Sequence, residues 1–137
     1  MRLLRRRKAE TPVVYADDGS LPVLLSAPDA ARADSSVLAE AAERGIALDG
    51  RLLVRHHLQL PDAAAVERAR ALLSQDGYSL TVLPGGQVRA WRTQLLTAMS
   101  AAQERSRMAG LAQRLGGDVQ GWDACGPPAV PGYDPAP

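Results

Sequence analysis

A chain of 137 residues, 46% hydrophobic and 23% charged, is long enough to bury one core and has the composition of a globular domain with tails. Its single cysteine, Cys125, excludes an intrachain disulfide and gives no sign of an oxidising compartment, and no run approaches the roughly 20 apolar residues of a membrane span. The formal net charge of +1 is uneven: Arg2, Arg5, Arg6, Arg7 and Lys8 sit together, leaving 11 basic against 15 acidic residues in the rest, a formal −4.

Residues 1–11 read as a flexible basic arm. Arg5, Arg6, Arg7 and Lys8 are weak candidates for contact with RNA or another anion, and a solvated terminus explains the same charges. The arginines lack the apolar stretch that a signal peptide needs after its positive start, so the expected location is the cytoplasm. Residues 12–34 predict a β-hairpin extension: two short β-rich runs, 13–15 and 21–25, flank Ala-Asp-Asp-Gly-Ser, which is good turn chemistry. Pro22 restricts its strand to an edge. A serine cap signal, strong helix formers and Gly45 then predict a helix over 35–44.

From residue 51 the pattern is regular. RLLVRHHLQL is a strand ended by Pro61. Asp62 is a helix cap for the segment that follows, which places Val66, Ala69 and Leu73 on one stripe and stops at Gly77. YSLTVLP is a second strand, Gly85 and Gly86 make a turn, and QVRAWRTQ is a third strand. A long helix is predicted over 95–115, with Met108, Leu111, Ala112 and Leu115 at helical spacing and Gly116 and Gly117 closing it. DVQGWDACG is a short fourth strand, and 127–137 is a proline-rich tail without fixed structure that could present polyproline II to a partner. The order β-α-β-β-α-β predicts an α+β domain over 35–126: a ferredoxin-like split βαβ sheet with both helices on one face, preceded by the hairpin and the first helix.

His56 and His57 are the only histidines, and adjacent strand residues point to opposite faces. Leu52, Val54, His56, Leu58 and Leu60 fall on the core side, where His56 is expected to satisfy itself with one backbone hydrogen bond. The same alternation assigns Leu80, Val82, Val88, Ala90, Val119 and Gly121 to that side. The other face then collects Arg55, His57, Gln59, Ser79, Thr81, Arg89, Trp91, Thr93, Gln120 and Trp122. In a split βαβ sheet the first and third strands are central neighbours, so Arg55 and His57 should lie near Arg89 and Trp91.

Arg55, His57, Arg89, Trp91 and Trp122 are therefore the candidate partner-binding residues, since tryptophan and arginine anchor protein interfaces. Aromatic platforms with basic neighbours also stack unpaired RNA bases, and the tryptophans could instead pack beneath the N-terminal segment. Opposed histidines cannot share a metal, so no metal site and no cofactor are expected. No catalytic residue is expected either: the Gly85–Gly86 turn lacks the spacing of a phosphate loop, and Cys125 has no histidine partner.

With these motifs placed, residues 37–125 resemble the RraB family, regulators of ribonuclease activity that inhibit the endoribonuclease RNase E. The resemblance is carried by His56-His57-Leu58, by the acid-capped helix ending at Gly77-Tyr78, and by LAQRLGGDVQGWDACG with Gly121 and Trp122 at its centre. It implies the split βαβ fold and a non-catalytic protein that binds RNase E or its RNA-degradation assembly, with direct RNA binding by the same face and the basic arm as the alternative. The strongly acidic character and tail of better-known family members are missing here, where the chain ends in GPPAVPGYDPAP.

Overall fold

Alternating apolar residues, two well-formed caps and a mid-strand glycine account for most of the architecture. The computed structural model describes residues 13–28 and 34–127; the basic arm with Arg5, Arg6, Arg7 and Lys8, and the tail beyond residue 127, lie outside the described residues. Among the described residues the chain forms β1 (Val23–Ala27), α1 (Asp34–Glu43), β2 (Arg51–Gln59), α2 (Ala63–Ser74), β3 (Ser79–Val82), β4 (Gln87–Leu95), α3 (Ala98–Arg114) and β5 (Asp118–Cys125). A single 3-10 turn, Pro84–Gly86, joins β3 to β4. No helix among them is long and apolar enough to cross a membrane.

The helices begin where the sequence supplies an acceptor. The Asp62 carboxylate accepts the Ala65 N–H at 2.8 Å, meeting one of the donors that the first turn leaves unpaired. Thr97 and Ser100 form a reciprocal capping box, each side chain accepting the other's backbone N–H at 3.0 and 2.9 Å. That box starts α3 after residue 97, so Leu95 belongs to β4 and not to the helix.

The five strands form one antiparallel sheet in the order β1-β5-β2-β4-β3. Strands β2 and β4, first and third of the regular part of the chain, are neighbours along their whole length, with Arg55 opposite Trp91 and His57 opposite Arg89. The predicted N-terminal hairpin is not formed. Its second run is β1, yet β1 pairs with β5 and not with residues 13–15, which are in no strand. The physical reason is that β5 offers a whole unpaired edge, whereas 13–15 find their polar partners on the sheet surface.

All three helices cover one face. Around α2 and the C-terminal half of α3, a core cluster holds Leu58, Val66, Ala69, Leu73, Tyr78, Val88, Ala90, Met108 and Leu111. Around α1 and the start of α3, a second holds Leu25, Val37, Leu38, Leu52, Val54, Ala101, Trp122 and Ala124. Burying a side chain of this size is worth roughly 1.5–3 kcal/mol, so these two clusters drive the docking of the helices.

One irregularity reorganises β5. His56 pairs with Trp122 but Leu58 pairs with Val119, so two steps on β2 match three on β5, which is a β-bulge. Gly121 lies at the bulge with φ +113°, and a Cβ there would stand 2.3 Å from the Ala27 carbonyl oxygen; only glycine admits that conformation and that approach. The extra residue reverses the alternation from that point. Trp122 and Ala124 join the helix-covered core, and Asp123 and Cys125 turn to the other face.

A candidate partner-binding face on the sheet

The face away from the helices is built from β2, β4, β3 and the end of β5. Arg55 and His57 come from β2, Arg89, Trp91 and Thr93 from β4, Thr81 from β3 and, through the bulge, Asp123 from β5. Residues 13–22 run over this surface: the Tyr15 N–H donates to Thr93 Oγ1 at 2.8 Å, and the Gly126 N–H donates to the Pro22 carbonyl at 3.3 Å. Leu53 and Cys125 share this side and are nevertheless buried, which is the effect of the segment passing above them.

The charged groups form a continuous chain of alternating sign. Asp123 accepts Nε and Nη2 of Arg55 at 2.7 and 2.8 Å, a two-point fork, and His57 Nε2 lies 2.8 Å from its Oδ2. The third guanidinium nitrogen of Arg55, Nη1, donates to Asp17 Oδ1 at 2.9 Å. Asp17 Oδ2 in turn accepts Nε of Arg89 at 2.8 Å. The series therefore runs His57–Asp123–Arg55–Asp17–Arg89.

Burial sets the energetics of the two carboxylates. Burial pushes the Asp123 carboxyl up, but hydrogen bonds from His57 and Arg55 outweigh it and hold the pKa below the usual carboxylate value. Burial likewise opposes ionisation of Asp17, and hydrogen bonds from Arg89, Thr81 and Arg55 reverse the balance and keep it low. Both are thus carboxylates at neutral pH, and an ionised carboxylate only accepts, so His57 Nε2 carries the proton it shares with Asp123. The hydrogen bonds that Arg55 donates to Asp123 raise its pKa further against the cost of its burial. Burial also pushes the Cys125 thiol up, away from nucleophilic chemistry.

Trp91 completes the surface. Its indole N–H donates to Thr81 Oγ1 at 2.9 Å, which fixes the ring while leaving it half-buried. A cleft of about 510 Å³ opens beside it, lined also by Val13, Tyr15, Gly77 and Thr93.

Four of the five candidate residues, Arg55, His57, Arg89 and Trp91, share this face as cross-strand neighbours. Trp122 does not. It is 1% exposed, within the helix-side core, and its indole N–H donates to Asp34 Oδ1 at 3.2 Å; the bulge at Gly121 moved it. His56 is buried on the core side as expected, but the expected backbone hydrogen bond is not made: neither ring nitrogen has a partner. Sequence reading missed Asp123 and Asp17. A glycine inside a strand pattern is a bulge signal, and counting it at Gly121 would have turned Asp123 to this face. The Asp-Asp-Gly-Ser motif predicts only a turn, whereas Asp18 alone serves the turn, accepting the Ser20 N–H at 3.0 Å. Among the described residues no three His, Cys, Asp or Glu side chains converge as a metal set would.

The protein thus has an α+β architecture with helices on one face of an antiparallel sheet, and a paired-charge chain with a half-buried tryptophan on the other. Residues 31–124, more than half of the chain, match the family described as RraB, Regulator of ribonuclease activity B, and the chain belongs to that family. No curated protein and no solved structure matches it.

Proposed function

We propose that this chain is a non-catalytic regulator that binds RNase E, or the RNA-degradation assembly around it, through the sheet face carrying Arg55, His57, Arg89 and Trp91. Family membership supports regulation of a ribonuclease, and the observation that carries the choice of surface is the paired-charge series beside the half-buried Trp91. A fixed aromatic ring with Arg55 opposite it on the neighbouring strand and Arg89 two positions away on its own is the composition of an interface anchor. The order β5-β2-β4-β3 within the sheet, its first and third strands central, is read here as the ferredoxin-like split βαβ. A ribonuclease partner puts the site of action in the cytoplasm.

Direct RNA binding is the alternative. It is less favoured because Arg55 and Arg89 are already paired with Asp17 and Asp123, leaving phosphate contact to the basic arm. The test is cleavage of a defined RNA by the host's RNase E with and without stoichiometric protein, beside an RNA-only binding control. The expected result is slower cleavage without RNA binding, and loss of the effect in Trp91→Ala. Unchanged cleavage refutes the regulator reading, and RNA affinity that falls steeply with salt supports the alternative.

A further inference from the structure

The chain of charges across the sheet is closed by a residue that does not belong to the sheet. Asp17 lies on the segment that crosses the face, and its side chain is only 2% exposed. It seats between Nη1 of Arg55 and Nε of Arg89 at 2.9 and 2.8 Å. Two residues earlier, Thr93 reads the backbone of Tyr15, accepting its N–H at 2.8 Å and donating to its carbonyl at 3.4 Å. A backbone clasp followed two positions later by a carboxylate seat is the recognition pattern of an extended peptide.

The remainder of the segment is loosely held. Val13 is 53% exposed and Val14 is 80% exposed. Open clefts flank residues 13–15 on both sides, about 510 Å³ toward Trp91 and about 540 Å³ toward Leu24, Ile46 and Leu52. Tyr15 and Val13 border both. The anchors are thus the two polar contacts, and the apolar residues around them gain little from packing.

We infer that this face is a receptor for an extended acidic peptide, one whose backbone meets Thr93 two positions before an aspartate, and that residues 13–18 occupy it in cis as a displaceable strap. The inference rests on the reading of this face as the partner-binding surface and names the chemistry of the partner segment. Charge dictates the choice. With the strap lifted, Arg89 loses the acceptor of its Nε and Arg55 that of its Nη1, so the face is left with more cation than carboxylate and is complementary to a replacement carboxylate. A peptide supplies both the carboxylate and the N–H and C=O pair that Thr93 engages.

The test uses a fluorescent peptide of the sequence VVYADDGS and the full chain. A tethered competitor sits at millimolar effective concentration, so wild type should bind the free peptide weakly. Asp17→Asn, which preserves side-chain shape while removing the charge, should bind it at least tenfold more tightly, and adding Arg89→Ala should abolish that gain. On wild type itself, saturating peptide should accelerate hydrogen exchange of the Tyr15 amide, a readout that requires no variant to fold. Equal binding by wild type and Asp17→Asn, or a gain that survives Arg89→Ala, overturns the inference, as does unaltered exchange at Tyr15. A gain in binding of oligouridylate in place of peptide overturns the peptide assignment. No ribonuclease is present in this assay, so its failure is separate from failure of the regulator reading.

Discussion

Replacing His56 with leucine is expected to stabilise the protein and to flatten its response to mild acid. The imidazole is 1% exposed on the helix-covered face, its nearest ring neighbour being Tyr78, edge-on at 6.1 Å. Neither ring nitrogen has a hydrogen-bond partner. Burial lowers the pKa from 6.5 to about 4, with Glu104 and Asp123 pulling it up and His57 and Arg92 pushing it down by smaller amounts. The folded state therefore keeps the ring neutral over a range in which the unfolded chain takes up a proton. In that window the unfolded state binds more protons, so stability is fully present above pH 6.5 and is lost as the pH falls toward about 4.

Between pH 7 and pH 5 the loss from this one group comes to about 2 kcal/mol. His56→Leu removes it and also removes two unpaired buried nitrogens, worth about 1–2 kcal/mol at neutral pH. The assay is urea unfolding of both chains at pH 7 and pH 5, where contributions common to the two cancel in the difference of differences. Equal acid losses in the two chains would refute the reasoning. So would a leucine variant less stable than wild type at pH 7, since the ring would then be making interactions worth more than its burial costs.

Three further outcomes follow from the geometry. Asp123→Ala should cost about 2–4 kcal/mol in urea unfolding, because it removes the two-point acceptor of a largely buried Arg55, leaving it Asp17 alone, and unpairs His57; a loss below about 1 kcal/mol would mean the network is as dispensable as a surface pair. Gly121→Ala should cost about 2–4 kcal/mol, since the added Cβ meets the Ala27 carbonyl and the backbone sits at φ +113°, and unchanged stability would argue against the bulge. Acrylamide should quench Trp122→Phe, which retains only the half-buried Trp91, and should barely touch Trp91→Phe, which retains only Trp122; the reverse would return Trp122 to the surface.

Local signals explain why much of the site could be read in advance. The alternation in RLLVRHHLQL assigns His56 to one side and Arg55 and His57 to the other with no knowledge of neighbours, because the strand repeat is two. Likewise, Asp62 declares a helix start by its own hydrogen-bonding capacity, whereas the Thr97–Ser100 box, which starts α3 three residues later than the pattern predicts, went unread. The adjacency of Arg55 with Trp91 follows from element order, given that the first and third strands of a split βαβ sheet are central. His56 shows a limit of the same reasoning: pattern predicts that it is buried, but whether its nitrogens find partners depends on what the rest of the fold brings there.

Tertiary structure decided the remainder, and for one physical reason: each outcome turned on a partner distant in the chain. Trp122 and Asp123 exchanged faces because β5 must match both β2 and β1, and its extra residue at Gly121 is absorbed against Ala27, nearly a hundred positions away. Residues 13–15 gave up the hairpin because Thr93, Arg55 and Arg89 offer Tyr15 and Asp17 better polar partners than β1 could. The sequence alone determined the elements from β2 to β5 but for the start of α3, the sidedness of β2 and β4 and the family; only the folded chain determined that the arginine-rich face carries its own carboxylates, since ion pairs form between groups that no local period relates.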